Sequence, residues 1–347
     1  MNQVLDEEIR KIQLTGKSTY IVSLPKKWAT SLNLKSGSQL VVSRQGDASL
    51  LLTPKELFKS QRLTEATIMT SWKDDPNTIA RKIIALYLIG YNFIKIFTKD
   101  ERTTSLQRNF IKDLVRKKLV GTEIISDFPN EMKLQILLSY PELSVENALR
   151  RMCFIASSMH EDAMQALKDS NKKLAEDVIA LDDEVDRFSL YVIRQLKAAV
   201  QNERVLKDIG LSNPRDCLGY RIISKSVERI ADHAVKIAEN VISLNGKIED
   251  YTFQKISEMS SFARFAFDDS IKSLYKKDYL LADNVVAKTK TIASIENEAL
   301  SSIAKKAEAA TMSNIRLIME STRRTAEYAG DIAEIVLNLN ANQIIAT

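Results

Sequence analysis

Hydrophobic and polar positions divide the chain into three stretches. Over residues 9–54 the apolar side chains come in short runs. Ile9-Arg10-Lys11-Ile12-Gln13-Leu14 alternates, Thr15-Gly16-Lys17-Ser18 makes a turn, and Tyr20-Ile21-Val22-Ser23-Leu24 is a β-branched, aromatic-rich strand. Pro25 ends that strand and suits the first turn of a helix running from Lys26 to Leu32. Gly37 closes the connection, and Leu40-Val41-Val42-Ser43 and Leu50-Leu51-Leu52 flank Gln45-Gly46-Asp47, a hairpin signal. A unit of about 45 residues buries too little surface to stand alone, so it is expected to dimerise or dock.

Residues 66–140 follow another rhythm. Apolar runs at Ala66–Met69, Phe93–Phe97, Glu123–Ser126 and Leu134–Leu138 bracket two helical patterns, Asn77–Tyr91 and Ser105–Leu119. The order β-α-β-α-β-β reads as a small α/β sandwich with its helices on one face. It carries no Gly-rich phosphate loop, and its helices read as core formers.

From Pro141 apolar residues recur at helical spacing to the end of the chain, with Ser144 as a good N-cap. Sparse breakers divide this stretch into six helices: 144–169, 171–201, 214–244, 251–276, 278–309 and 312–340. These are two copies of three. His160-Glu161-Asp162-Ala163-Met164-Gln165-Ala166-Leu167 aligns with Phe267-Asp268-Asp269-Ser270-Ile271-Lys272-Ser273-Leu274 at an offset of 107. Glu228-Arg229-Ile230-Ala231-Asp232 aligns with Glu327-Tyr328-Ala329-Gly330-Asp331 at an offset of 99. Two tandem three-helix bundles are the natural architecture.

Composition changes this picture in two places. The 347 residues carry a net charge of +5, but residues 9–53 hold seven basic side chains against one acid, Asp47. That segment is +6 and the remainder −1, which points the small N-terminal unit at a polyanion. Two cysteines, Cys153 and Cys217, give no disulfide framework and fit a reducing compartment. The longest apolar run, Ile83 to Ile94, is interrupted by Gly90 and Asn92 and falls short of the roughly 20 residues a membrane helix needs. With no signal-peptide core after Met1, the protein is expected in the cytoplasm and not inserted in a membrane.

Candidate chemistry lies in acidic pairs. Asp182 and Asp186 stand four apart, as do Glu228 and Asp232, and Glu239 extends the second face. Residues four apart share a helix face about 6 Å from each other, where like charges repel. Each pair is therefore a two-oxygen claw for a hard or borderline cation. Asp183 and Glu184 read as solvated surface. The only histidines, His160 and His233, do not recur between the copies and read as structural or surface residues. Little material remains for a catalytic triad or a structural zinc site, and none is expected.

The stretch Val178-Ile-Ala-Leu-Asp-Asp-Glu-Val-Asp-Arg187 with Ile193-Arg194-Gln195-Leu196 resembles the middle helix of an archaeal-type PhoU repeat. Glu228-Arg229-Ile230-Ala231-Asp232-His233-Ala234 with Ile237-Ala238-Glu239 is similar to that family's third-helix motif. The resemblance covers residues 144–340 and implies a regulator of phosphate uptake. It also implies metal bound through E/D-xxx-D motifs, here Asp182, Asp186, Glu228, Asp232, Glu327 and Asp331. The second copy departs from the pattern, because Thr289 and Ala293 stand where Asp182 and Asp186 would repeat. The nearest acids, Glu296 and Glu298, lie a turn away.

The N-terminal stretch resembles the SpoVT/AbrB swapped-hairpin fold through Leu14-Thr15-Gly16-Lys17-Ser18, Val22-Ser23-Leu24-Pro25-Lys26-Lys27-Trp28 and Leu34-Lys35-Ser36-Gly37-Ser38. That family interlaces hairpins of two chains into one barrel, with basic residues on DNA. Arg10, Lys11, Lys17, Lys26, Lys27 and Arg44 are the candidates here. The competing reading is a barrel that only dimerises, with its lysines solvated.

The expected architecture is thus multidomain α+β, mainly α overall. A swapped-hairpin β-barrel (1–54) precedes a small α/β sandwich (62–140) and two three-helix repeats (141–246 and 247–347). The expected function is a non-enzymatic, homodimeric regulator of phosphate homeostasis. Its helical half binds divalent or ferric ions and meets a phosphate transporter ATPase or sensor protein, and its basic N-terminal half holds the dimer and reaches DNA. The alternative is a dimeric adaptor that works through protein partners alone. A metal-dependent hydrolase is the weakest of the three, since acids abound without a nucleophile–base pair.

Overall fold

In the computed structural model, described over residues 7–16, 18–44, 49–58, 63–137, 144–303 and 309–345, the chain divides after Leu63 into two units. In the first, β1 (Gln13–Thr15) and β2 (Thr19–Ile21) pair antiparallel, with Leu14 opposite Tyr20. Gly16 takes the left-handed conformation the tight turn requires, with φ of +67°. Helix α1 (Lys26–Ser31) follows Pro25. Strands β3 (Leu40–Arg44) and β4 (Leu50–Pro54) form a second antiparallel pair, and α2 (Lys55–Phe58) ends the segment. The hairpin residues Gln45, Gly46 and Asp47 lie outside the described residues.

This unit differs from the sequence expectation in its strands and sheets: the strand expected over Tyr20–Leu24 ends at Ile21. The alternation beginning at Ile9 makes no strand before Gln13, because those residues meet no partner strand among the described residues. The two hairpins also remain separate two-stranded sheets. Among the described residues of this unit only Pro54 is buried, while Ile9, Ile12, Tyr20 and Leu50 stand largely in solvent. A β-rich segment with its apolar side chains outside has no core of its own.

The second unit begins with β5 (Glu65–Thr70), α3 (Pro76–Ile89), β6 (Phe93–Thr98), α4 (Ser105–Lys118), β7 (Thr122–Phe128) and β8 (Glu131–Ile136). The sheet order is β5-β6-β8-β7, with β5 parallel to β6 and the other pairs antiparallel. Alternation places Ile68, Ile94, Ile96, Met132 and Leu134 on one face, in a single core with Ile79, Ile83 and Ile111 of the two helices. Asp75 caps α3 ahead of Pro76, Gly90 ends it with φ of +112°, and Thr104 with Gln107 forms a capping box on α4. On the opposite face, Lys133 bonds Glu65 and lies over the Phe93 ring, and Lys95 bonds Glu131.

The helical part comprises α5 (Val145–Asp169), α6 (Lys172–Gln201), the short α7 (Glu203–Asp208), α8 (Asp216–Ser243), α9 (Asp250–Lys276), α10 (Tyr279–Thr289), α11 (Ile292–Ile303) and α12 (Ala309–Leu339). Side-chain caps from Ser144, Asn171 and Asp278 start α5, α6 and α10. The helix expected over 278–309 is broken at Lys290–Thr291. There the hydroxyl of Thr289 donates back to the carbonyls of Val285 and Val286, Thr291 donates to Lys288 O, and Ser294 donates to Thr291 O. Such back-bonding competes with the helix ladder.

Helix α8 packs on α12, and α5 on α9, so equivalent helices of the two repeats meet. Arg229 Nη1 donates to Tyr328 Oη at 3.1 Å across a separation of 99 residues, which is the repeat offset itself. Gly219, earlier on α8, lies against Ile335 and Leu339, later on α12, so the two helices run antiparallel and the repeats are related by a local two-fold near this pair. The sandwich is part of the same unit, with α3 and α4 against α6. The buried Arg194 of α6 donates to the carbonyls of Tyr87, Gly90 (3.2 Å) and Tyr91 (3.1 Å), capping the C-terminal end of α3.

Candidate metal centre and basic N-terminal face

Helical spacing puts Asp182 and Asp186 one turn apart on α6, and Glu228 and Asp232 one turn apart on α8. Because α6 and α8 pack together, the two pairs share one groove, and each carboxylate lies in the field of others. Burial, then the charges of Asp186 and Asp232, pushes the Asp182 carboxyl up to about 6, with Lys118 opposing. Glu228 and Asp232 are also raised, chiefly by burial. Asp182 Oδ1 is buried without a hydrogen-bond partner.

Two ammonium groups border the groove. Lys118 Nζ, from the last turn of α4, lies 2.7 Å from Asp186 Oδ2 and 3.4 Å from Asp183 Oδ1. Lys225 Nζ, one turn before Glu228 on α8, lies 2.6 Å from that carboxylate. Among the described residues no three His, Cys, Asp or Glu side chains stand in position to grip one ion together. The oxygens of Asp186 and Glu228 are turned onto lysines. The donor set, with four carboxylates against two ammonium groups and one buried oxygen unpartnered, nevertheless has the chemistry of a hard-cation site. Asp183 is not the solvated residue the sequence suggested. It is half-buried and paired with Lys118 and, at 3.5 Å, Lys117, because α4 lies over this turn of α6.

The second repeat brings its acids to different partners. Glu327 pairs with Arg323 and, at 2.6 Å, with Arg324, and Arg323 Nε also reaches Glu296 at 2.7 Å. Asp331 is raised, by burial first and then by Glu334. Thr289, at the position of Asp182, packs against Gly330 so closely that a Cβ there would meet its hydroxyl at 2.7 Å. Glu239 is exposed, outside the α6–α8 group. His160 is buried and shares a 2.7 Å hydrogen bond with Ser260 between α5 and α9, and His233 stacks near Tyr328. Burial depresses both imidazoles to about 4. The sequence did not single out Lys118, Lys225, Arg323 or Arg324. Repeat alignment pairs Lys225 with Arg324 and offered the one signal available.

Of the N-terminal candidates, Arg10 and Lys11 lie on the exposed lead into β1, Lys26 and Lys27 open α1, and Arg44 ends β3. Arg10 is ion-paired with Glu8. Lys17 lies outside the described residues. Leu24, Pro25, Trp28, Leu50 and Leu52 line an open apolar hollow on this unit.

The PhoU domain model matches residues 149–241 and 256–336, about half of the chain and one segment per repeat. The model described as antidote-toxin recognition MazE, bacterial antitoxin, matches residues 13–59. A phosphate-specific transport system accessory protein PhoU homolog from Aquifex aeolicus is 30% identical over 148 residues, 41% of this chain and 62% of its own length. The chain thus spans less than two thirds of that relative. A homolog of the same name from Borreliella burgdorferi is 25% identical over 177 residues, 48% of this chain and 67% of its own. Two crystal structures share the fold, each with a TM-score of 0.50. The PhoU regulatory protein of Streptococcus pneumoniae is 17% identical, covering 58% of this chain and 96% of its own. PhoU from Pseudomonas aeruginosa is 21% identical, with coverages of 57% and 96%. No helix among the described residues is long and apolar enough to cross a membrane.

Proposed function

The chain belongs to the PhoU family, and from that premise we propose that it regulates phosphate uptake and phosphate homeostasis as a binding protein rather than an enzyme. The observation that carries this reading is the family match on both helical repeats, with a carboxylate groove between α6 and α8. The relatives are named as accessory proteins of phosphate-specific transport systems, which makes a transporter ATPase or a phosphate sensor the fitting partner. An archaeal-type PhoU half would hold a divalent or ferric ion through Asp182, Asp186, Glu228 and Asp232. A bound cation would supply the positive charge that the groove lacks and hold α6 and α8 together. The ion should therefore raise the melting temperature by linkage. Asp186→Asn with Asp232→Asn should abolish that gain. Equal melting shifts in wild type and the double variant would overturn the metal reading.

The N-terminal unit has separated hairpins, exposed apolar strands and a hollow beside Trp28. These features support a swapped-hairpin barrel of SpoVT/AbrB type, closed by a second copy. Light scattering should give a dimer for the full chain and a lower order when residues 1–54 are removed. Doubling the +6 charge of residues 9–53 concentrates basic residues on that barrel, and DNA is the polyanion it suits. Arg10→Ala with Lys11→Ala should weaken DNA binding and flatten its salt dependence without changing the dimer mass. The pairing of Arg10 with Glu8 favours a second reading, a dimeric adaptor without DNA. Failure of the intact dimer to shift any duplex at low ionic strength would select it.

A further inference from the structure

We propose that Lys118 is an internal, displaceable counter-cation of the α6–α8 carboxylate groove, so that a metal entering the groove releases the end of α4 from α6. The inference rests on the metal reading above and adds a role for the α/β sandwich, which lies outside the two segments matched to PhoU.

Basic residues in the last turn of a helix have an ordinary explanation, since they complement its negative end. Arg116, Lys117 and Lys118 end α4 and fit it. Lys118 goes beyond that role. Its ammonium leaves its own helix and meets Asp186 Oδ2 at 2.7 Å across a separation of 68 residues, with Asp183 Oδ1 at 3.4 Å. Its side chain keeps a third of its exposure, against 62% for Lys117. Lys118 thus holds one of the two oxygens that Asp186 would offer a cation.

Lys225 borders the same groove from a different origin. It belongs to α8 and approaches Glu228 as an i, i+3 neighbour, so its loss from the carboxylate would move no other element. Lys118 is the ammonium in this group that arrives from another layer of the fold. The seat of α4 on α6 is therefore stronger when the groove lacks a metal, and by reciprocity metal affinity is lower while Lys118 is in place. A divalent ion on Asp186 would bring a second positive charge against the Lys118 ammonium, and their repulsion favours departure of the ammonium. Displacement moves no covalent bond, only an ion pair from protein to solvent.

The test uses the full chain and Mn2+, with the free ion followed by its paramagnetic resonance signal and ferric citrate in a parallel titration read by elemental analysis. Lys118→Met should bind Mn2+ about tenfold tighter than wild type, because no ammonium has to leave. Lys118→Arg, which retains the charge, should remain near wild type, and Lys117→Met should change affinity less than twofold. Hydrogen exchange of wild type should show faster exchange at the end of α4 on metal addition, and Lys118→Met should lose that response. Equal affinity in wild type and Lys118→Met, with protection at α4 unchanged by metal, would overturn the inference while leaving the metal reading intact. No binding by any of these chains would overturn both.

Discussion

The two carboxylate groups of the helical unit occupy equivalent places in the repeats and solve the same electrostatic problem in opposite ways. In the second repeat the cation is built in. Arg323 joins Glu296 and Glu327, Arg324 holds the same Glu327, and Thr289 and Ala293 replace two aspartates. In the first repeat the positions equivalent to Glu296 and Arg323 are Ser189 and Ser224, both buried and uncharged. Four acids remain there, with one lysine from their own helix and one from the sandwich. Like charges on adjoining helix turns are unfavourable unless a cation sits between them, and one backbone frame accommodates either an internal guanidinium or a demand for an outside ion. The charge balance of a few buried positions separates a closed group from an open one.

The largest effect should come from opening the closed group. Arg323→Ser leaves Glu296 without its partner while Glu327 keeps Arg324, and such removal from a partly buried group costs up to about 3 kcal/mol. Denaturant unfolding should report that loss, and adding Glu296→Ser, which recreates the serine pair of the first repeat, should recover most of it. A cost below about 1 kcal/mol would end the contrast between the repeats.

A neutral residue at the α5–α9 seam separates burial from charge balance. His160 has a folded-state pKa near 4 because burial disfavours its cation, against 6.5 in the unfolded chain. Its contribution is present above pH 6.5 and is lost as pH falls towards 4, in total about 3 kcal/mol. Stability curves across that window should flatten in His160→Gln. An unchanged slope would show that acid unfolding is driven elsewhere.

The smallest effect has the opposite sign. Asp182 has a folded-state pKa of about 6 against 3.8 unfolded, so its favourable contribution is present below about pH 4 and is lost as pH rises through 6. In metal-free protein at pH 7.5, Asp182→Asn should stabilise by about 1–2 kcal/mol, a figure reduced for solvent screening of a half-exposed group. At pH 4 the variant should match wild type. Excess Mn2+ should reverse the order at pH 7.5, and a variant still more stable than wild type with metal present would place Asp182 outside the site.

Helical periodicity, caps at Ser144 and Asn171, and the offsets of 107 and 99 made both repeats readable from the chain, and alternation made the sandwich readable. The pairing of Asp182 and Asp186 with Glu228 and Asp232 was legible because helix spacing aligns each pair. The break at Lys290–Thr291 was not, since Lys-Thr-Lys-Thr contains no Gly or Pro and the interruption is made by hydroxyls bonding back to carbonyls. Lys118 was hidden for a different reason. Its partner lies 68 residues away, and no local pattern records which surface of α6 the sandwich covers. Strand extent before Gln13 failed because alternation alone does not say whether a strand finds a partner, and residues 9–12 meet none among the described residues.

Arg194 has a mechanical consequence. Its hold on the end of α3 lies eight residues along α6 from Asp186, roughly 12 Å at the rise of an α-helix. One attachment is buried and threefold, and the other, at the edge, is made by Lys118 on Asp186 and Asp183 and by Lys117 on Asp183. A rigid body fastened in this way has a fulcrum and a short arm. A shift of about 1 Å at Lys118 corresponds to a turn of about 5° around Arg194 on that arm length. On the proposal above, loss of the Lys118 contacts would turn the sandwich about Arg194 rather than detach it.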